Sequence, residues 1–334
     1  MTSIDGSWQS LDEGTRDRVR PALVWLRSRG AGEVPAVPLV RRFLTSELPL
    51  RWAGDEREQH EVAWALGDLF AAAGLAEQAG LCRSVETHER MALGQWTASF
   101  GEVPPDFWTA GLGALEGPGG VPPRAALSLS SAHALLETVG DGLVLTATGE
   151  LPTATVRALD DRFRWTEEFP WMPSASETDI APLRFLREHL VSQRLLTQEG
   201  GRLLRTEAGR SCSRSTPRLW RAVVDPAPRW SRAFDRDTLG VLAASVLRSE
   251  DFALGRVAEQ LTPVLAAKWR PARQGSVFDG VSSVAQAWYQ LGVPLGWWDT
   301  GRGPADRRPS PFGRAAAVGV LRAVAGPRHD AGRR

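Results

Sequence analysis

The sequence predicts a mainly α chain: an acidic all-helical N-terminal domain, then two units in which helices are closed by a short β-hairpin. Three observations carry this. Apolar residues recur at helical spacing through the first third of the chain. Two stretches, the Pro- and Gly-rich "GPGGVPP" from Gly117 to Pro123 and the Pro-containing "VDPAPRW" from Val224 to Trp230, break both helical and strand patterning. The spacing Ser/Thr-x-x-Gly-Arg occurs twice, at Thr206 to Arg210 and at Ser310 to Arg314. The expected domains are therefore residues 1–116, 124–224 and 231–334.

In the first domain, "PALVWLRSRG" places Pro21 in the first turn of a helix, repeats Leu23 and Leu26, and stops at Gly30. A second helix starts near Pro38, with Val40, Phe43 and Leu44 on one side. "DEREQHEVAWALGDLFAAAGL" opens with acids that suit the helix dipole, carries a stripe of Val62, Leu66, Leu69 and Phe70, and can close at Gly74. Shorter helices follow from Ala76 and through "VETHERMAL". In the middle domain "SAHALLETV" reads as a helix, "GLVLTATGELP" as a strand and turn, and "TATVRALDDRF" as a second helix. The third helix runs through "SETDIAPLRFLREHLVSQRLL", capped by Ser176 or Thr178, with Ile180, Leu183, Leu186 and Leu190 facing inward. A hairpin with Gly200-Gly201 at its tip comes next, and "RLWRAV" closes the unit. The last domain repeats the plan, with "VSSVAQAWYQLGVPLGW" as helix and "WDTGRGPADRRPSPF" as hairpin region. Both units are winged-helix-like.

"GLVLTATGELP", then "SETDIAPLRFLREHLVSQRLLTQEGGRLLRTEAGR" and "PRLW", resembles the winged helix-turn-helix module of a group of poorly characterised high-GC bacterial proteins, best over residues 130–222. The resemblance implies a wing fold and no established activity. In the final hundred residues Pro294 at the helix end and a longer hairpin depart from the pattern.

Charge is uneven. Residues 1–120 hold 11 arginines against 17 acids, and the remainder 29 basic residues against 22 acids, although the whole chain balances at +1. Residues 201–236 carry nine arginines and three acids, so a polyanion would be attracted there first. Lys268 is the single lysine, which points to compositional bias behind many of the arginines. In a wing, Arg202 and Arg205 would meet phosphates and Arg210, Arg214 and Arg218 would extend the basic strip; Arg184, Arg187 and Arg194 lie on or just past the third helix. Asp179 and Glu188 on that helix oppose the idea.

Catalytic and cofactor signatures are missing. There is no GxxxxGK[ST], GxSxG or HExxH, and "GLGALEGPGG" reads as a loop. His60, His88, His133, His189 and His329 are scattered singly, and Cys82 and Cys212 lack CxxC partners, so neither metal nor cofactor is expected. Asp160-Asp161 and Glu167-Glu168 read as charged surface loop. Among 14 tryptophans, Trp25, Trp64 and Trp220 suit the core, while "RWTEEFPWM" and "GWWDTGRG" could stack on bases or anchor a partner. A start without a basic or long apolar run predicts a cytoplasmic protein, and no stretch suits a membrane span. The functional expectation is a non-catalytic binding protein that contacts DNA through a basic wing, with a protein interaction or assembly module as the alternative.

Overall fold

The computed structural model describes residues 4–30, 32, 34–52, 56–100, 103, 105–115, 120–167, 176–225, 229–230, 232–248, 254–269, 276–299 and 307–325. The chain divides into two compact units, one of residues 1–101 with 325–334 and one of residues 102–324.

The first unit contains α1 (Ile4–Trp8), α2 (Glu13–Arg29), α3 (Val37–Arg42), a π-helical turn (Phe43–Glu47), α4 (Leu48–Arg51), α5 (Glu56–Ala72), α6 (Ala76–Arg83) and α7 (Val85–Ala98). Helix α2 starts earlier than Pro21 suggests. Asp12 accepts the backbone N–H of Thr15 at 2.9 Å and nucleates the helix eight residues upstream, which leaves Pro21 inside it. Ser84 caps α7 in the same way, accepting from Thr87 N at 3.1 Å. The apolar stripe condenses as expected: Leu26, Val40, Phe43, Leu44, Leu66, Leu69, Phe70 and Met91 are fully buried in one cluster.

The second unit contains α8 (Pro105–Ala114), α9 (Ala125–Ser128), α10 (Ser130–Val139), β1 (Leu143–Val144), α11 (Thr153–Phe163), α12 (Ala181–Ser192), β2 (Leu196–Glu199), β3 (Arg202–Arg205), α13 (Glu207–Ser213), α14 (Thr216–Val224), α15 (Ala233–Arg248), α16 (Leu254–Lys268), α17 (Val277–Gly292) and α18 (Pro311–Ala325). Among the described residues the fold is mainly α with one small antiparallel sheet, in the order β1-β3-β2. Leu143 pairs with Leu203, and Gln198 also faces Leu203 across the hairpin. Gly200 and Gly201, at φ 55° and 73°, make the two-residue turn that such a tight hairpin needs.

These units differ from the three expected segments for a packing reason. Every residue of α15 from Asp237 to Val246 is buried, so this helix needs neighbours all round. It finds them in α8, α16 and α17. Composition places residues 105–114 in the acidic domain, yet Gly111 on α8 lies against Ala244 and Leu321. The same helix takes in the start of "GLGALEGPGG", expected to be loop. Helix α12 packs on α17, and Ser131 Oγ donates to the Pro294 carbonyl at 2.5 Å, so the middle and last segments share one core. The linkers mark changes of composition, not limits of packing. No helix among the described residues is long and apolar enough to cross a membrane.

The repeated Ser/Thr-x-x-Gly-Arg spacing proves to be a repeated junction. After α12, Arg194 turns left-handed at φ 56° and Leu195 N bonds to Leu190 O at 2.9 Å; after α17, Gly296 turns at φ 60° and Trp297 N bonds to Gly292 O at 2.9 Å. The hydroxyl of Thr206 donates to Arg194 O at 2.7 Å and accepts from Gly209 N at 3.0 Å. That of Ser310 donates to Gly296 O at 2.6 Å and accepts from Gly313 N at 3.2 Å. A Cβ on Gly209 would overlap the carbonyl oxygen of Leu195, and one on Gly313 that of Trp297. The hydroxyl thus ties the new helix to the end of the old one, and only glycine lets the intervening carbonyl pass so close.

Candidate nucleic-acid interface

Helix α12 is where a groove-reading surface would have to lie. It begins at Ala181 behind Ile180, without a side-chain cap; Ser176 instead turns onto Asp179, donating N–H and O–H to Oδ2 at 2.9 and 3.0 Å. Pro182 in the first turn sets the start. Leu183, Leu186, His189 and Leu190 are buried, and of the twelve residues only Glu188 is exposed. The helix packs on α17, β2 and α10, and Arg229 covers part of what remains. Its guanidinium donates to Phe185 O at 2.9 Å and to Glu188 Oε2 at 2.8 Å, and it lies 4.9 Å from the Phe185 ring centroid. Gln193 Nε2 reaches Asp225 O, and His189 Nε2 donates to Val223 O at 2.8 Å. His189 is fully buried, which pushes its pKa down to about 4 and keeps the ring neutral.

The sequence-selected arginines separate into two groups. Arg187 is structural: Nε donates to Glu177 Oε1 at 2.5 Å, and Glu177, 1% exposed, also accepts Leu151 N at 3.0 Å. Arg210 is tied to Glu207 at 2.9 Å and to Arg205 O at 3.0 Å, and Arg205 and Arg184 are half-buried. By contrast Arg194, Arg202, Arg214 and Arg218 are exposed. Arg202 donates to Gly142 O at 3.1 Å and Arg218 to Ser211 Oγ at 2.6 Å. The hairpin tip itself is balanced, since Glu199 stands opposite Arg202.

No protein-family model, curated protein or solved structure matches the chain. The site must therefore be read from its own geometry.

Several expectations change with the tertiary structure. Trp297 and Trp298 of "GWWDTGRG" are 1% and 3% exposed and pack on Trp288, so their rings are closed to bases and partners. Trp165 is half-buried and stacks on Phe163; the rest of "RWTEEFPWM" beyond Glu167 lies outside the described residues, as do residues 300–306 of the second hairpin region and His329. Asp160 is buried, accepting Thr166 N at 3.2 Å, and staples the end of α11 instead of joining a charged loop. Trp64, expected in the core, is 49% exposed.

Two of the scattered histidines meet. His60 on α5 and His88 on α7 face each other through Nδ1 at 2.6 Å, with rings stacked at 4.8 Å and Trp64 stacked on His88 at 5.2 Å. Burial lowers both pKa values, and for His88 the nearby His60 adds to the effect. Residues 28 apart on different helices leave no local spacing to read; the recurrence of His-Glu at 60–61 and 88–89 was the only trace. Among the described residues no group of three or more His, Cys, Asp or Glu is placed to hold a metal ion.

Proposed function

We propose that the chain is a non-catalytic binding protein built on two winged-helix units, and that its partner is another protein. The element order α10-β1-α11-α12-β2-β3, the sheet order β1-β3-β2 and the duplicated junction after α12 and α17 support the winged-helix reading. The single observation that carries the choice of partner is the use made of α12. A groove-reading helix needs a free face lined with donors. Here α17 and the Arg229 contacts occupy α12, and its one exposed residue, Glu188, is an acid already held by Arg229 and offers a phosphate no donor.

A second reading, contact with the DNA backbone, is favoured by the exposure of Arg194, Arg202, Arg214 and Arg218. One experiment separates the two. Nuclease-treated extract is passed over the immobilised chain, a captured protein is purified, and its binding is measured by calorimetry beside fluorescence anisotropy on random duplexes over a salt series. The proposal expects stoichiometric binding of the purified protein and no duplex binding at low salt. Duplex binding that weakens steeply with salt, and flattens by up to roughly two units of slope in Arg202→Ala/Arg205→Ala, would overturn it.

A further inference from the structure

The contact between His60 and His88 is not explained by packing. Two neutral imidazoles approach to 2.6 Å through Nδ1 only with one proton between the two lone pairs, one ring donating and the other accepting. A metal ion can take the place of that proton. With both rings in the Nε2–H tautomer, the shared proton has moved to the far nitrogen of its own ring, both Nδ1 lone pairs point into one gap and no net proton has to be lost.

The spacing discriminates between ions. Metal–nitrogen bonds of about 2.0 Å set two nitrogens roughly 2.8–2.9 Å apart when they are cis in a tetragonal ion, and about 3.3 Å apart in a tetrahedral one. The observed 2.6 Å needs a small opening for the first and a larger one for the second. We propose that His60 and His88 form a two-imidazole site for a tetragonal divalent ion, Cu²⁺ first among them, with water in the remaining positions. The half-burial of His60 and the exposure of Trp64 beside the pair put its edge at solvent. Nitrogen ligands rank Cu²⁺ above Ni²⁺ and Zn²⁺, in line with the geometric preference.

The test uses the full chain, stripped with a chelator and titrated with Cu²⁺ alone in a non-coordinating buffer. One equivalent is expected to bind, with an axial paramagnetic resonance spectrum showing two nitrogen couplings. Ni²⁺ and Zn²⁺ should bind at least about tenfold more weakly. His60→Gln and His88→Gln should each weaken Cu²⁺ binding by about tenfold or more, and His133→Gln should not. Fewer than two nitrogen couplings in the unmodified chain would overturn the proposal, a readout that holds even if a variant misfolds. So would unchanged Cu²⁺ binding in both folded variants, or no binding by roughly 100 µM, far above what an N-ligand Cu²⁺ site requires.

Discussion

Acidification should destabilise the second unit through His189. The ring is fully buried on α12, donates from Nε2 to Val223 O, and has Nδ1 buried without a hydrogen-bond partner. Burial pushes its pKa down to about 4 in the fold, from the 6.5 of an ordinary imidazole. A base with a depressed folded pKa takes up its proton more readily when unfolded, so stability holds above pH 6.5 and falls as pH drops toward 4. At 1.36 kcal/mol per unit, the loss relative to pH 7 is about 2 kcal/mol at pH 5 and about 3 kcal/mol at pH 4. The assay is urea unfolding at pH 7, 6, 5 and 4 for the wild type and for His189→Gln, which keeps a donor for Val223 O and cannot titrate. Carboxylates contribute equally to both proteins, so the difference between them isolates the imidazole. The wild type's advantage should shrink by about 2 kcal/mol between pH 7 and pH 5. An advantage that stays constant across that range would refute the reasoning.

Removing Arg187 leaves the Glu177 carboxylate buried and unpaired, so Arg187→Ala should destabilise the fold by about 3–5 kcal/mol in chemical unfolding, an effect a solvent-facing phosphate contact would not have. Gly209→Ala and Gly313→Ala should each cost about 1–3 kcal/mol or more, measured the same way, because a backbone carbonyl cannot yield to the new methyl. The Cys82 thiol, fully buried and pushed up to about 12, should resist a disulfide reagent at pH 8 in the native protein and react once unfolded. Residues 102–325 expressed alone should melt cooperatively by circular dichroism, since α8 packs on α15; a fragment starting at residue 124 should melt lower.

Much of the local structure was legible along the chain. "TATVRALDDRF" is α11 residue for residue, and the Gly-Gly hairpin and the paired Ser/Thr-x-x-Gly-Arg spacings stand where they were expected, because periodicity, turn glycines and hydroxyl caps act within a few residues. Only the tertiary structure decided what the side chains do. Arg187 and Arg210 carried the same sequence signal as Arg194 and Arg214, but the first two found carboxylates and the others found solvent. The histidine pair, the shared core around α15 and the cover that Arg229 lays over α12 join residues 28 or more positions apart or helices from different segments. A sequence sets which groups are charged, apolar or able to turn the chain. Which charge meets which partner depends on contacts between distant elements, and those exist only once the helices have packed.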